Sequence, residues 1–172
     1  MSLSLYDISI PVFITALRNL SHNLHKGEAY AAEQGIAEEE LTTARLFPDM
    51  LPLTGQIQRA SDTARFVPVR VGQTEPRPMA DNEVSLADLQ ARIAATIDYL
   101  SAVAPNSMDG RETSAVSFKA GPRTLDFTGT SYILGFALPN FYFHVTTAYA
   151  ILRHKGVPLG KTDFLAGASP RS

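Results

Sequence analysis

His144 stands in the stretch Pro139–Val157, PNFYFHVTTAYAILRHKGV, among apolar residues at helical spacing. Phe141, His144, Ala148, Ile151 and Lys155 follow i, i+3, i+7, i+10 and i+14. At about 100° per residue they share one helix face, so the imidazole points where core side chains point. An inward imidazole in a helical protein is either a metal or proton-transfer group, or a hydrogen-bonded core residue. Both readings stay open. A zinc- or nickel-type site needs about three converging nitrogen or oxygen donors, with second partners holding the imidazoles. The usual helical companion at i+4 is Ala148, which has no donor atom. His154 lies ten residues on, rotated about 80° from His144, where its charged form suits a helix C-terminus.

Asp49 and Gln56 are the polar residues that could reach the same place. Asp49 sits between Pro48 and Met50 in an apolar run, where it either caps the following helix or points inward to His144. Gln56 is seven residues later and shares a face with Asp49 if both are helical. Asp62 is expected to pair with Arg59 or Arg65 across one turn, an exposed arrangement that contributes little. His25, beside Leu24, could reach the bundle mouth; His22 falls off the apolar stripe and is read as solvent-facing. Tyr132, Phe136, Phe141, Tyr142, Phe143 and Tyr149 cluster near the C-terminus. They form either core and dimer surface or an apolar ligand pocket lined by tyrosine hydroxyls. The pocket candidates are therefore His144, Asp49, Gln56, His25 and Tyr149.

Much chemistry is excluded. Without cysteine there is no disulfide, thiolate nucleophile or iron–sulfur ligand. No Gly-rich phosphate loop, nucleophile elbow or HExxH helix occurs. A formal net charge of -2, with Arg65, Arg70 and Arg77 scattered along a presumed helix edge, gives nucleic acid no basic face. With 45% hydrophobic and 19% charged residues the chain reads as globular, not disordered. The first residues, MSLSLYDIS, lack a basic signal-peptide region, and no run approaches the roughly 18 apolar residues of a membrane span. The expectation is one cytoplasmic domain over residues 1–172, with no membrane contact.

The elements that position these residues are helical. Phe13, Leu17, Leu20 and Leu24 mark a first helix that ends near Gly35, with Gly27 ending or interrupting it. Acidic residues 38–40 suit a helix start near Ala37. Leu53, Ile57, Ala60 and Ala64 mark the next helix, whose end Pro68 leaves open. Gly72–Glu83 reads as a loop. Ser85 caps a third long helix carrying Leu89, Ile93, Ile97 and Leu100. SAVSFK and RTLDFTG alternate about a Gly-Pro turn, as a hairpin or two extended arms over residues 114–129. The last helix begins near Ser131 or after Pro139 and ends near His154, with Gly156 and Pro158 beyond. A polar tail, Lys161–Ser172, follows. The fold class is all-α: a four-helix bundle with a short extended hairpin before the last helix.

Three segments carry a resemblance: RLFPDMLPLTGQIQRASD (Arg45–Asp62), SLADLQARIAATIDYL (Ser85–Leu100) and LPNFYFHVTTAYAILRHKGVPLGKTDFL (Leu138–Leu165). With them the chain resembles a domain-of-unknown-function family of the DinB/YfiT-like superfamily, over nearly its whole length. The resemblance implies an up-down-down-up bundle, often a homodimer. It also implies, for many members, a divalent metal on three histidines, and for some a thiol-dependent transferase activity. His144 looks like the first of two ligands from the last helix. The second falls on Ala148, and the second-helix position lies between Asp49 and Gln56, where no histidine stands. No three-histidine site is expected, and no cofactor follows from the sequence. Three functions compete: a polar pocket around His144 that binds a small molecule; a metal-dependent enzyme with a degenerate His144–Asp49 site holding zinc or nickel; and a structural or interaction protein.

Overall fold

Each long helix buries one apolar stripe, and the stripes meet in a single core. The computed structural model describes residues 3–167; the rest of the expected tail lies outside them. Helix α1 (Ile10–Gln34) turns Phe13, Leu17, Leu20 and Leu24 inward, and Pro11 sits harmlessly in its first turn. It ends at Gly35, whose φ of 64° is the left-handed cap foreseen. Gly27 does not interrupt it. That glycine is buried, and a Cβ there would stand 3.2 Å from Leu152 Cδ2, so its role is close helix approach.

A short helix α2 (Glu38–Thr42) follows. Helix α3 (Leu53–Arg70) starts after Pro52 and runs through Pro68. Helix α4 (Leu86–Ser101) opens on a capping box in which Ser85 Oγ accepts from Asp88 N–H and Asp88 accepts from Ser85 N–H. Strands β1 (Ala115–Ala120) and β2 (Arg123–Thr128) pair antiparallel, with Val116 opposite Phe127 and Phe118 opposite Leu125. Gly121, at φ 60°, makes the turn before Pro122. From Gly129 the chain is helical without a break: α5 (Gly129–Tyr132), a π-turn over Ile133–Ala137, and α6 (Leu138–His154). The molecule is thus mostly helical with one hairpin. Three short helices, α2, α5 and a last one, α7 (Lys161–Ala166), exceed the expected four.

Side-chain pairs fix the directions of the long helices. Phe13 meets Phe141 and Gly27 meets Leu152, so α1 and α6 run together. Gln56 meets His144 and Arg70 meets Tyr132, so α3 opposes α6. Gln58 meets Glu83 and Thr74 meets Tyr99, so α4 follows α3 in direction. The order is up, down, down, up. Helix α1 packs on α4 and α6, and α3 packs on the same two from the other side.

The hairpin lies on the bundle. Phe118, Phe127, Tyr132 and Phe136 form one ring cluster, and the Arg70 guanidinium stacks 3.8 Å from the Phe118 centroid while donating to Tyr132 Oη at 2.9 Å. Helix α7 docks on α1 through Asp163, which accepts from Lys26 Nζ at 3.1 Å and lies 3.2 Å from His22 Nε2. Burial raises the Asp163 pKa, but hydrogen bonds from Gly160 N–H, Lys26 and His22 outweigh it and hold the carboxyl down at about 2. His22 is therefore half-buried and paired, not free in solvent. Among the described residues no helix is long and apolar enough to cross a membrane.

Candidate functional site

The seam between α3 and α6 carries the polar residues of interest. Gln56 and His144 are both buried there, and His144 Nδ1 lies 2.7 Å from Gln56 Oε1. The neighbouring bond settles the proton. Gln56 Nε2 donates to Leu51 C=O at 3.0 Å, which turns Oε1 toward the imidazole. Oε1 can only accept, so Nδ1 carries the hydrogen and Nε2 is left with its lone pair. Among the described residues Nε2 has no hydrogen-bond partner. Burial, with a smaller contribution from the Arg59 charge, pushes the His144 pKa down to about 4. The ring is neutral at physiological pH. One turn along, Asn140 Nδ2 donates to Thr63 Oγ1 at 2.8 Å, and Thr63 donates to Arg59 C=O.

The other candidates do not converge there. Asp49 is exposed in the turn before α3 and is not helical, so it shares no face with Gln56. It caps nothing either, since the N-cap is Pro52. Two prolines, at 48 and 52, flank this turn, and the helix starts only after Pro52. His25 lies on α1 facing α4, across the bundle from this seam; its Nδ1 is 2.9 Å from Ser21 C=O and 3.0 Å from Gln90 Nε2. Tyr149 is half-buried and packs edge-on against Phe164 of α7, on another face of α6. His154 is exposed at the end of α6. The exposed Phe143 ring stands 5.2 Å from the His144 ring, edge to face.

A second polar cluster was not foreseen. Arg92, on α4, is buried and held by three acids: NH1 lies 2.7 Å from Glu83 and 3.0 Å from Asp81, and NH2 lies 2.9 Å from Asp62. Asp62 also holds Arg65 and Arg59. Arg65 donates to Arg77 C=O and Arg92 to Ala80 C=O, so the loop over residues 72–84 is strapped to the α3–α4 seam. The expected exposed pair at Asp62 is a buried clamp, and Arg65 and Arg70 are not a solvated edge. The signal was available. Arg92 stands three after Leu89 and four before Thr96, on the buried stripe, where a guanidinium requires buried anions.

Comparison with known proteins places the chain. A family model described as Domain of unknown function (DUF1993) matches residues 5–165, and the chain belongs to that family. It is similar to a DinB family member protein from Shewanella denitrificans, of known crystal structure. Identity is 34%, the TM-score is 0.89, and the match covers 98% of this chain and 95% of that one. No curated protein matches.

A three-histidine metal centre does not fit these residues. Ala148 presents a methyl group, and Gln56, at the end of the segment 49–56 in which the resemblance puts the second-helix ligand, already binds the imidazole through its oxygen. Among the described residues no group of three His, Cys, Asp or Glu side chains is placed to hold a metal ion.

Proposed function

We propose that this protein is a small-molecule binding bundle of DinB/YfiT-like type, with four long helices as its working frame, in which His144 offers a neutral imidazole nitrogen to a hydrogen-bond donor on the ligand. The observation that supports this most is the ordered chain Leu51 C=O, Gln56, His144 Nδ1, which leaves Nε2 as a fixed acceptor. Phe143 beside the ring adds an apolar surface for the rest of the ligand. The reading is of binding, with no reaction assigned. We place it in the cytoplasm as a homodimer; the exposed Leu134 and Tyr142 support the dimer.

The test is a screen of small alcohols, phenols and amides by ligand-observed NMR, with the imidazole ¹⁵N resonances of His144 followed in parallel. Hits that move the Nε2 resonance and vanish in His144→Ala support the proposal. Hits that bind His144→Ala equally well, or a screen without hits, would return the imidazole to a purely structural part. Equilibrium sedimentation tests the dimer.

A further inference from the structure

Across the bundle from His144, α1 and α4 leave an open groove of about 620 Å³ between them. Its floor is apolar and low because α4 places Ala91 and Ala94 there, beside Ile93 and Ile97. The two helices supply matched stripes: Arg18, Ser21 and His25 on α1, and Gln90, Ala94 and Ile97 on α4, each at i, i+3 or i+4, and i+7. Their span is about 10 Å along the helices.

The polar rim carries one permanent charge, Arg18. Arg18, His22 and His25 line the groove, and among the described residues no carboxylate does. His22 is taken by Asp163. Arg18 is exposed and makes no ion pair among the described residues. Ser21 and Gln90 are bonded to each other, Ser21 Oγ to Gln90 Oε1 at 2.6 Å and Gln90 Nε2 to Ser21 C=O at 2.9 Å. His25 Nδ1 lies within reach of both, donating to Ser21 C=O in one tautomer or accepting from Gln90 Nε2 in the other. The permanent Arg18 cation at one end of an alanine-floored trough is locally complementary to an anion with an apolar body, against a net chain charge of -2.

We propose that the α1–α4 groove is a binding site for an amphiphilic carboxylate, its head on Arg18 and its chain over Ala91 and Ala94. This site is separate from the His144 seam and stands or falls independently of it. The guanidinium fork binds the carboxylate and the alanines leave room for the methylenes.

The probe is decanoate, with decanol as its uncharged counterpart, titrated into the full chain by calorimetry and by amide NMR. Decanoate is expected to bind and to shift α1 and α4 amides. Arg18→Gln should weaken decanoate at least about tenfold, as loss of a charge-assisted contact does, and leave decanol unchanged. Ala94→Leu fills the floor and should abolish both; Ala91→Leu does the same if that variant fails to fold. Absent decanoate binding, equal affinity for the two probes, or shifts centred on His144 would each overturn the proposal. So would undiminished binding to the leucine variants, or loss of dimer in them without any loss of decanoate affinity.

Discussion

Acidification should load the fold at His144, and the size of the effect follows from its surroundings. Burial and the Arg59 charge lower its pKa from 6.5 to about 4. A depressed folded-state pKa means that the neutral ring stabilises the fold above the unfolded value, and that this contribution is lost as pH falls from 6.5 through 4. One pK unit corresponds to about 1.4 kcal/mol, so the loss is roughly 2 kcal/mol at pH 5 and reaches about 3 kcal/mol at pH 4. Urea unfolding at pH 7.5 and pH 5 measures it. His144→Gln serves as reference, because a glutamine amide can still donate to Gln56 Oε1 and does not titrate. The two proteins differ only at this position, so the difference between the two profiles belongs to His144. The wild type should lose about 2 kcal/mol more than the variant over this interval. Parallel profiles would refute the buried, singly protonated imidazole and with it the fixed Nε2 acceptor.

Two substitutions test the frame around the site. Arg92→Met strands Glu83 without its cation, while Asp62 keeps Arg59 and Arg65, and should cost about 3–5 kcal/mol in denaturant unfolding; a loss under about 1 kcal/mol would show that the clamp is no more than a surface pair. Gly129→Ala should destabilise by about 1–3 kcal/mol, because a Cβ would stand 2.2 Å from the Arg111 carbonyl oxygen, a backbone atom that cannot swing aside; a melting curve unchanged from wild type would argue against that close approach.

The long helices were readable because each carries its own periodic stripe and its own stop signals. The hydroxyl of Ser85, the left-handed Gly35 and the alternation about Gly121 are local features whose partners lie within a few residues. The same holds for the inward turn of His144. What escaped depends on partners far along the chain. Gly27 reads as a break until Leu152 is packed on it, and Asp62 reads as a surface acid until Arg92 arrives from the next helix. Asp49 misled because an acid before a helix suggests a cap, whereas the second proline postpones the start by several residues. His25 and His144 are both histidines facing neighbouring helices, but sequence spacing cannot say that those neighbours lie on opposite sides.

The two polar seams of α3 differ in what they can do. On the α4 side every formal charge meets its opposite: Arg92 and Arg65 are buried, and Asp62, Asp81 and Glu83 answer them. Burial raises the Glu83 pKa, yet hydrogen bonds from Gln58 and Arg92 overcome it and keep the carboxyl below its ordinary range, so this seam stays ionised and shut at neutral pH. Such a clamp fixes α3 relative to α4, with its carboxylates and guanidinium tips already engaged and only the buried Arg65 and Arg92 Nε–H groups of these side chains without a partner among the described residues. On the α6 side the buried Gln56–His144 pair is neutral, and the series Leu51, Gln56, His144 ends in a nitrogen that has no hydrogen-bond partner among the described residues. A recognition group has to be held still by its neighbours while keeping one valence open. The clamp supplies the stillness, and the imidazole supplies the open valence. A ligand that donates a hydrogen bond to Nε2 would therefore meet an acceptor whose tautomer and orientation are set before it arrives, and would bind without the cost of ordering it.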